Sequence, residues 1–188
     1  MRKKYYSWED VEMMSIELVT KMYKDNWRPD YIVGITRGGN VPATILSNML
    51  GVRCEALKIK LRDGEPGEEC ENNLWMAEDA FGYVPEEQRD LLKTRWDISL
   101  RKKILIVDDI NDTGATFSYL KHQWQQCCYP EEPSWNTVWG GNVRFATLTE
   151  NLSSKFGSVS YYADEVNKAE EDVWLVYPWE NVGKYGNV

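Results

Sequence analysis

The run Lys103-Ile-Leu-Ile-Val-Asp-Asp-Ile-Asn-Asp-Thr-Gly-Ala-Thr116 constrains this chain more than any other feature. Its apolar half shows no polar alternation, so the strand it forms is buried on both faces. That is the pattern of a strand inside a parallel sheet covered by helices on both sides. The strand delivers two adjacent carboxylates, Asp108 and Asp109, to its C-terminal end, where open α/β sheets bind ligands. Asp112-Thr-Gly-Ala-Thr116 then opens a helix. Unpaired N–H groups at a helix start, the Thr113 and Thr116 hydroxyls and the room left by Gly114 make a cradle for phosphate. Acids for sugar hydroxyls or a metal beside a phosphate cradle point to a sugar-phosphate ligand.

Two other readings compete. A loop with a Thr cap and incidental acids leaves Asp108, Asp109 and Asp112, all within five positions, unexplained. A response-regulator receiver domain also uses an Asp-Asp pair, but it needs a further Asp after a later strand. Here the later strands end before Thr149 or Ala163.

The rest of the chain fits an alternation of strands and helices, hence an α/β fold with a mainly parallel sheet. Ser7-Trp-Glu-Asp10 reads as a helix N-cap, and Val11, Met14, Leu18 and Met22 recur at helical spacing, predicting a helix over Trp8–Lys24. Tyr31–Ile35 is a short buried strand and Thr36-Arg-Gly-Gly39 a loop. A helix follows to Leu50, closed by Gly51, then a strand over Cys54–Lys60. The acidic stretch Arg62–Asn73 reads as a loop or hairpin tip within a mobile segment of about 61–100, and Pro85–Trp96 as a short helix. After the helix carrying Phe117, Leu120 and Trp124 comes a loop over Cys127–Asn136. Strands are expected over Asn142–Leu148, Val159–Tyr162 and Val173–Tyr177.

Charge and cysteine usage narrow the function. The chain of 188 residues suits one domain, and its 22 basic residues against 30 acidic ones argue against nucleic acid as a partner. No apolar run approaches the ~20 residues of a membrane span, and the N-terminal residues show no signal segment, so a soluble, cytoplasmic protein is expected. Cys54, Cys70, Cys127 and Cys128 follow no metal-ligand spacing, and His122 is the only histidine, which leaves little room for a zinc site or a His-based triad.

The segment Val107–Thr116 closely resembles the motif by which type I phosphoribosyltransferases bind phosphoribosyl pyrophosphate (PRPP). Two further pieces agree. Val33-Gly-Ile-Thr-Arg-Gly-Gly39 is similar to the family's pyrophosphate loop, and Asp172-Val-Trp-Leu-Val-Tyr-Pro-Trp-Glu180 to the base-binding end of the xanthine-guanine and hypoxanthine branch. The resemblance implies that family's fold: a central, mainly parallel sheet flanked by helices, with a small C-terminal hood at about 164–188. It implies Mg2+-dependent transfer of phosphoribose from PRPP to a purine base, with release of pyrophosphate, in a homo-oligomer of two or four chains. Carried over residue by residue, Asp108 and Asp109 hold the ribose hydroxyls, directly or through metal. Asp112 is the general base or acid, and Asp112, Thr113, Gly114, Ala115 and Thr116 bind the 5′-phosphate. Arg37 and Gly38 hold pyrophosphate through a loop often built on a cis peptide. Trp174 stacks on the base, the Leu175 backbone reads its edge, and Glu180 joins Asp109 at the metal.

The sequence departs from the pattern in two places. Members acting on 6-oxopurines place a lysine where this chain has Asn151, so Asn151 is carried over as the base-binding residue, with Lys155 one helical turn further on. The Ser-Tyr pair of the family's mobile loop is replaced by Lys60-Leu-Arg62. A non-catalytic PRPP-binding protein on the same fold, or a transferase for a non-purine base, stays open on the sequence.

Overall fold

The structure, a computed structural model, describes residues 2–62, 65–66, 70–71, 73–92, 94–128 and 133–180. Strand β1 (Arg2–Tyr5) leads into helix α1 (Trp8–Lys24), then β2 (Tyr31–Thr36), α2 (Asn40–Leu50) and β3 (Arg53–Lys58). Two short antiparallel strands, β4 (Leu61–Arg62) and β5 (Glu65–Pro66), precede α3 (Leu74–Phe81) and α4 (Glu86–Leu92). The second half comprises β6 (Ile104–Asn111), α5 (Ala115–Cys127), α6 (Trp135–Val138), β7 (Val143–Asn151), β8 (Val159–Val166) and β9 (Val173–Val176).

Local chemistry sets the ends of these elements. At α1, the Ser7 hydroxyl accepts from the Asp10 N–H while the Asp10 carboxylate accepts from the Ser7 N–H, so two of the helix's orphan donors are satisfied reciprocally. Gly51 ends α2 in the left-handed conformation, as its place after the apolar run implies.

The main sheet has the order β3-β2-β6-β7-β8 and every pairing in it is parallel. Side chains alternate between two cores. Tyr31, Val33, Ile104, Ile106 and Phe145 point to one face, beneath α3, α5 and α6. Ile32, Leu105, Val107 and Leu148 point to the other, beneath α1 and α2. Both faces being covered is the reason these strands read as continuous apolar runs.

Several elements differ from expectation. The segment at about 61–100 is not one loop: α3 lies within it and buries Met76, Ala77, Ala80 and Phe81 in the first core. Part of that segment, residues 63–64, 67–69, 72 and 93, lies outside the described residues. The expected helix over Pro85–Trp96 is shorter, and Trp96 instead forms a bridge with Tyr83. Strands β6 and β7 run three residues beyond Asp108 and Leu148, because Ile110 and Asn111 still pair with Thr149 and Glu150. The hood gains a strand from the other end of the chain, since β1 pairs in parallel with β9. Residues 181–188 of the expected hood lie outside the described residues. No described helix is long and apolar enough to cross a membrane.

Candidate functional site

Chain order reverses between β2 and β6. From β2 the chain moves outward to β3, and it then returns to place β6 on the other side of β2. At such a switch point the loops leaving two adjacent strands part, and a crevice opens beyond their C-terminal ends. Arg37 and Gly38 leave β2 there, and the Asp108–Asp109 pair lies toward the end of β6.

The two loops touch through glycine. A β-carbon on Gly38 would lie 1.9 Å from the Asp109 carboxylate, and one on Gly39 would lie 2.4 Å from the Val107 carbonyl. Any side chain at either position would push the Arg37 loop off the acid pair. The peptide between Thr36 and Arg37 is cis.

Asp108 and Asp109 are half-buried and adjacent. The Asp109 N–H donates to Asp108 at 2.9 Å, and the Ile110 N–H donates to Asp109 at 2.9 Å. Burial, together with the charge of Asp109, raises the Asp108 carboxyl well above its ordinary value. Burial also raises Asp109, and Glu180 on the hood adds to the effect. A site that disfavours its own negative charge in this way attracts a cation or hydroxyl donors. Among the described residues, no three acidic, histidine or cysteine side chains converge as a metal cluster.

Three cavities meet at Asp109. The largest, about 720 Å³, is lined by Arg37, Gly38, Val41, Asp109, Trp179 and Glu180. The second, about 200 Å³, follows the chain from Asp108 to Phe117 and so includes Asp112, Thr113, Gly114, Ala115 and Thr116. Gly114 at φ 86 precedes the first residue of α5, and Ala115, Thr116 and Phe117 of the first turn line this cavity. The third, about 130 Å³, lies under the hood, where Trp174, Leu175 and Glu180 meet Asp109, Asp112 and Lys168. Trp174 is half exposed, whereas Leu175 is buried beneath it.

Lys168 was missed from the sequence. Its ammonium lies 2.9 Å from the Asp112 carboxylate. It belongs to the turn between β8 and β9, 56 residues along the chain from Asp112, and no local pattern marks it. Asn151, carried over to the base, sits elsewhere. Its side chain is buried, and its amide donates to the Asp112 carbonyl at 2.8 Å and carboxylate at 3.2 Å. Its oxygen accepts from the N–H of Ser153 and of Lys168. The amide is thus taken up inside the protein. Lys155 is exposed, and its backbone N–H donates to the Thr113 carbonyl.

The hood is fixed to the sheet by aromatic side chains. Tyr6, Tyr177 and Trp179 stack in sequence, with ring centroids 5.0 and 4.8 Å apart. The Tyr177 hydroxyl reaches the Asp109 carbonyl at 3.0 Å and the Thr149 hydroxyl at 2.8 Å. The hood therefore holds the backbone of the acid pair directly.

Comparison with known proteins places the chain in a family. The family model described as phosphoribosyl transferase domain matches residues 1–177. The chain is 27% identical to the hypoxanthine-guanine phosphoribosyltransferase of Schizosaccharomyces pombe, covering 94% of this chain and 88% of that protein. It is 24% identical to xanthine phosphoribosyltransferase 1 of Saccharomyces cerevisiae, with the same coverage of each. Among solved structures, the purine phosphoribosyltransferase of Pyrococcus horikoshii superposes with a TM-score of 0.62 at 23% identity, over 96% of this chain and 95% of that one. The xanthine-guanine-hypoxanthine phosphoribosyltransferase of Helicobacter pylori gives 0.63 at 18% identity, over 97% of each chain. These structures share the fold.

Proposed function

Since the chain belongs to the phosphoribosyl transferase family, we propose that it transfers the phosphoribosyl group of PRPP to a 6-oxopurine base and releases pyrophosphate. One observation carries this reading: Asp109 borders all three cavities. A ligand with a sugar at its centre and three arms fits that plan. The ribose lies over Asp108 and Asp109, which accept from its hydroxyls. The 5′-phosphate occupies the loop Asp112–Thr116 at the start of α5. Pyrophosphate lies against Arg37 and the Gly38 backbone, and the base lies under the hood on Trp174, its edge against the Leu175 backbone.

The residues present suit a divalent cation. Two carboxylates held together away from water are relieved by one, and Mg2+ is commonly bound through one or two carboxylates while phosphate oxygens and water complete its shell. Asp109, with Glu180 across the cavity, would hold it, and it would stabilise charge on the departing pyrophosphate. In the transfer itself, the bond from the ribose anomeric carbon to pyrophosphate oxygen breaks and a bond to the base nitrogen forms. Positive charge builds on the sugar and negative charge on the leaving group, where Arg37 faces it. The proton leaving the base passes to Asp112, whose carboxylate lines the cavity under the hood.

Lys168 narrows the base. An ammonium only donates, and a carboxylate only accepts. Held 2.9 Å apart, the two match a base edge on which a carbonyl oxygen adjoins a ring N–H. A 6-amino group would turn its donors on the ammonium, so adenine is disfavoured.

The test is pyrophosphate release from PRPP with Mg2+ against guanine, hypoxanthine, xanthine, adenine, uracil and orotate. Release with one or more of the oxopurines and none with adenine is expected. Silence on all six, with PRPP still raising the melting temperature, would replace a transferase with a PRPP-binding protein.

A further inference from the structure

Asn151 lines none of the three cavities that meet at Asp109, yet its amide joins three separate segments. Its nitrogen donates to Asp112 twice, to the carbonyl at 2.8 Å and to the carboxylate at 3.2 Å. Its oxygen accepts from the Ser153 hydroxyl at 2.9 Å, the Ser153 N–H at 3.2 Å and the Lys168 N–H at 3.0 Å. It is the last residue of β7 and only 5% exposed, so both its own backbone and its rotamer are fixed by the sheet. The Asp112 loop and the Lys168 turn have no strand pairing with each other. Each is instead referred to the same buried amide.

We infer that Asn151 is a positioning residue, which sets the separation and aim of Asp112 and Lys168 from behind and acts on the reaction only through them. This rests on the function proposed above. Its chemistry is asymmetric, and the asymmetry separates positioning from plain structure. The oxygen side organises turns; the nitrogen side, among the described residues, meets only Asp112. An aspartate at this position keeps the acceptor and has nearly the same shape. It loses both donations and sets a carboxylate against a carboxylate.

The experiment measures kcat, KM for the base and the PRPP-induced rise in melting temperature for the wild type, Asn151→Asp, Asp112→Asn and the double variant. For Asn151→Asp, kcat is expected to fall by about 10–100-fold, the scale on which misplacing a reacting group by ~1 Å acts, with the PRPP-induced shift retained. Because the effect runs through Asp112, adding Asn151→Asp to Asp112→Asn is expected to cost nothing further. If Asn151→Asp does not fold, Asn151→Ala takes its place; because it also releases the Lys168 N–H, its fold-loss is expected to be smaller in the Asp112→Asn background than in the wild type, not absent. Wild-type turnover in the Asn151 variant, or an equal fold-loss in both backgrounds, overturns the inference while leaving the proposed function standing. A wild type silent with every base removes the proposed function, and the inference with it.

Discussion

Asp112 is held on one carboxylate oxygen by Lys168 and on the other by Asn151, so its position does not depend on a bound ligand. Asp112→Asn keeps the shape and removes the proton acceptor. Turnover is expected to fall by roughly 10²–10⁴-fold while PRPP still shifts the melting temperature; near-full activity would remove Asp112 from proton transfer. Glu150 makes a second prediction. It lies in the same neighbourhood, buried, with one oxygen accepting from Asn111 at 2.8 Å and the other without a hydrogen-bond partner. Burial pushes its carboxyl up to about 7 from an ordinary 4.5. The folded state then binds this proton more tightly than the unfolded chain. Stability is therefore lost as pH rises from 4.5 through about 7. Glu150→Gln keeps the acceptor for Asn111 and cannot ionise. It is expected to be more stable than the wild type at pH 8, by about 1–3 kcal/mol, and equal to it near pH 4. Parallel melting curves at the two pH values decide this, and a difference that does not change with pH refutes it.

The loops at element ends work because other elements press on them. Gly114 is the instance with the sharpest geometry: it sits at φ 86, and a β-carbon there would lie 2.5 Å from the Phe156 backbone nitrogen. The segment after β7 thus packs directly on the Asp112–Thr116 loop. It also donates to that loop, through Lys155 N–H to the Thr113 carbonyl at 3.1 Å. Gly114→Ala adds the cost of a left-handed non-glycine residue, ~1–2 kcal/mol, and the cost of overpacking, ~1–3 kcal/mol. Urea unfolding should show a loss of about 2–5 kcal/mol together with weaker PRPP binding. A stable variant that binds PRPP normally would mean that the loop and the segment after β7 can separate freely.

At the scale of the molecule, the five-stranded sheet carries Asp108 and Asp109, and a separate two-stranded sheet carries Trp174. That second sheet draws on both ends of the described chain, since Arg2–Tyr5 pairs with Val173–Val176. The Lys4–Asp164 ion pair links β1 to β8 as well. A chain starting at Tyr6 keeps the five-stranded sheet whole and removes one strand of the hood. Its KM for the base is expected to rise about 10-fold or more, in keeping with a stacking contribution of ~1–3 kcal/mol, with the PRPP-induced melting shift preserved. Equal loss of both would show that the hood and the sheet form one cooperative unit.

The chain's own order of residues determined the fold class and marked the contiguous stretch from Asp108 to Thr116. Period and punctuation are local: unbroken apolar runs over Tyr31–Ile35 and Ile104–Val107, glycines at loop positions and an N-cap at Ser7 each state their element within a few residues. The motif Asp108–Thr116 is contiguous, so its residues were legible together. Helix α3 was not, because its buried Met76, Ala77, Ala80 and Phe81 follow an acidic loop and span barely two turns. The surroundings of Asp112 were decided only in three dimensions. Asp112, Asn151 and Lys168 meet at the C-terminal ends of β6, β7 and β8, and sequence spacing carries no information about that meeting. The same applies to the hood, where β1 completes a sheet with a strand about 170 residues away. Parallel pairing leaves no local trace, because the partners are chosen by packing on a shared core and not by a turn between them.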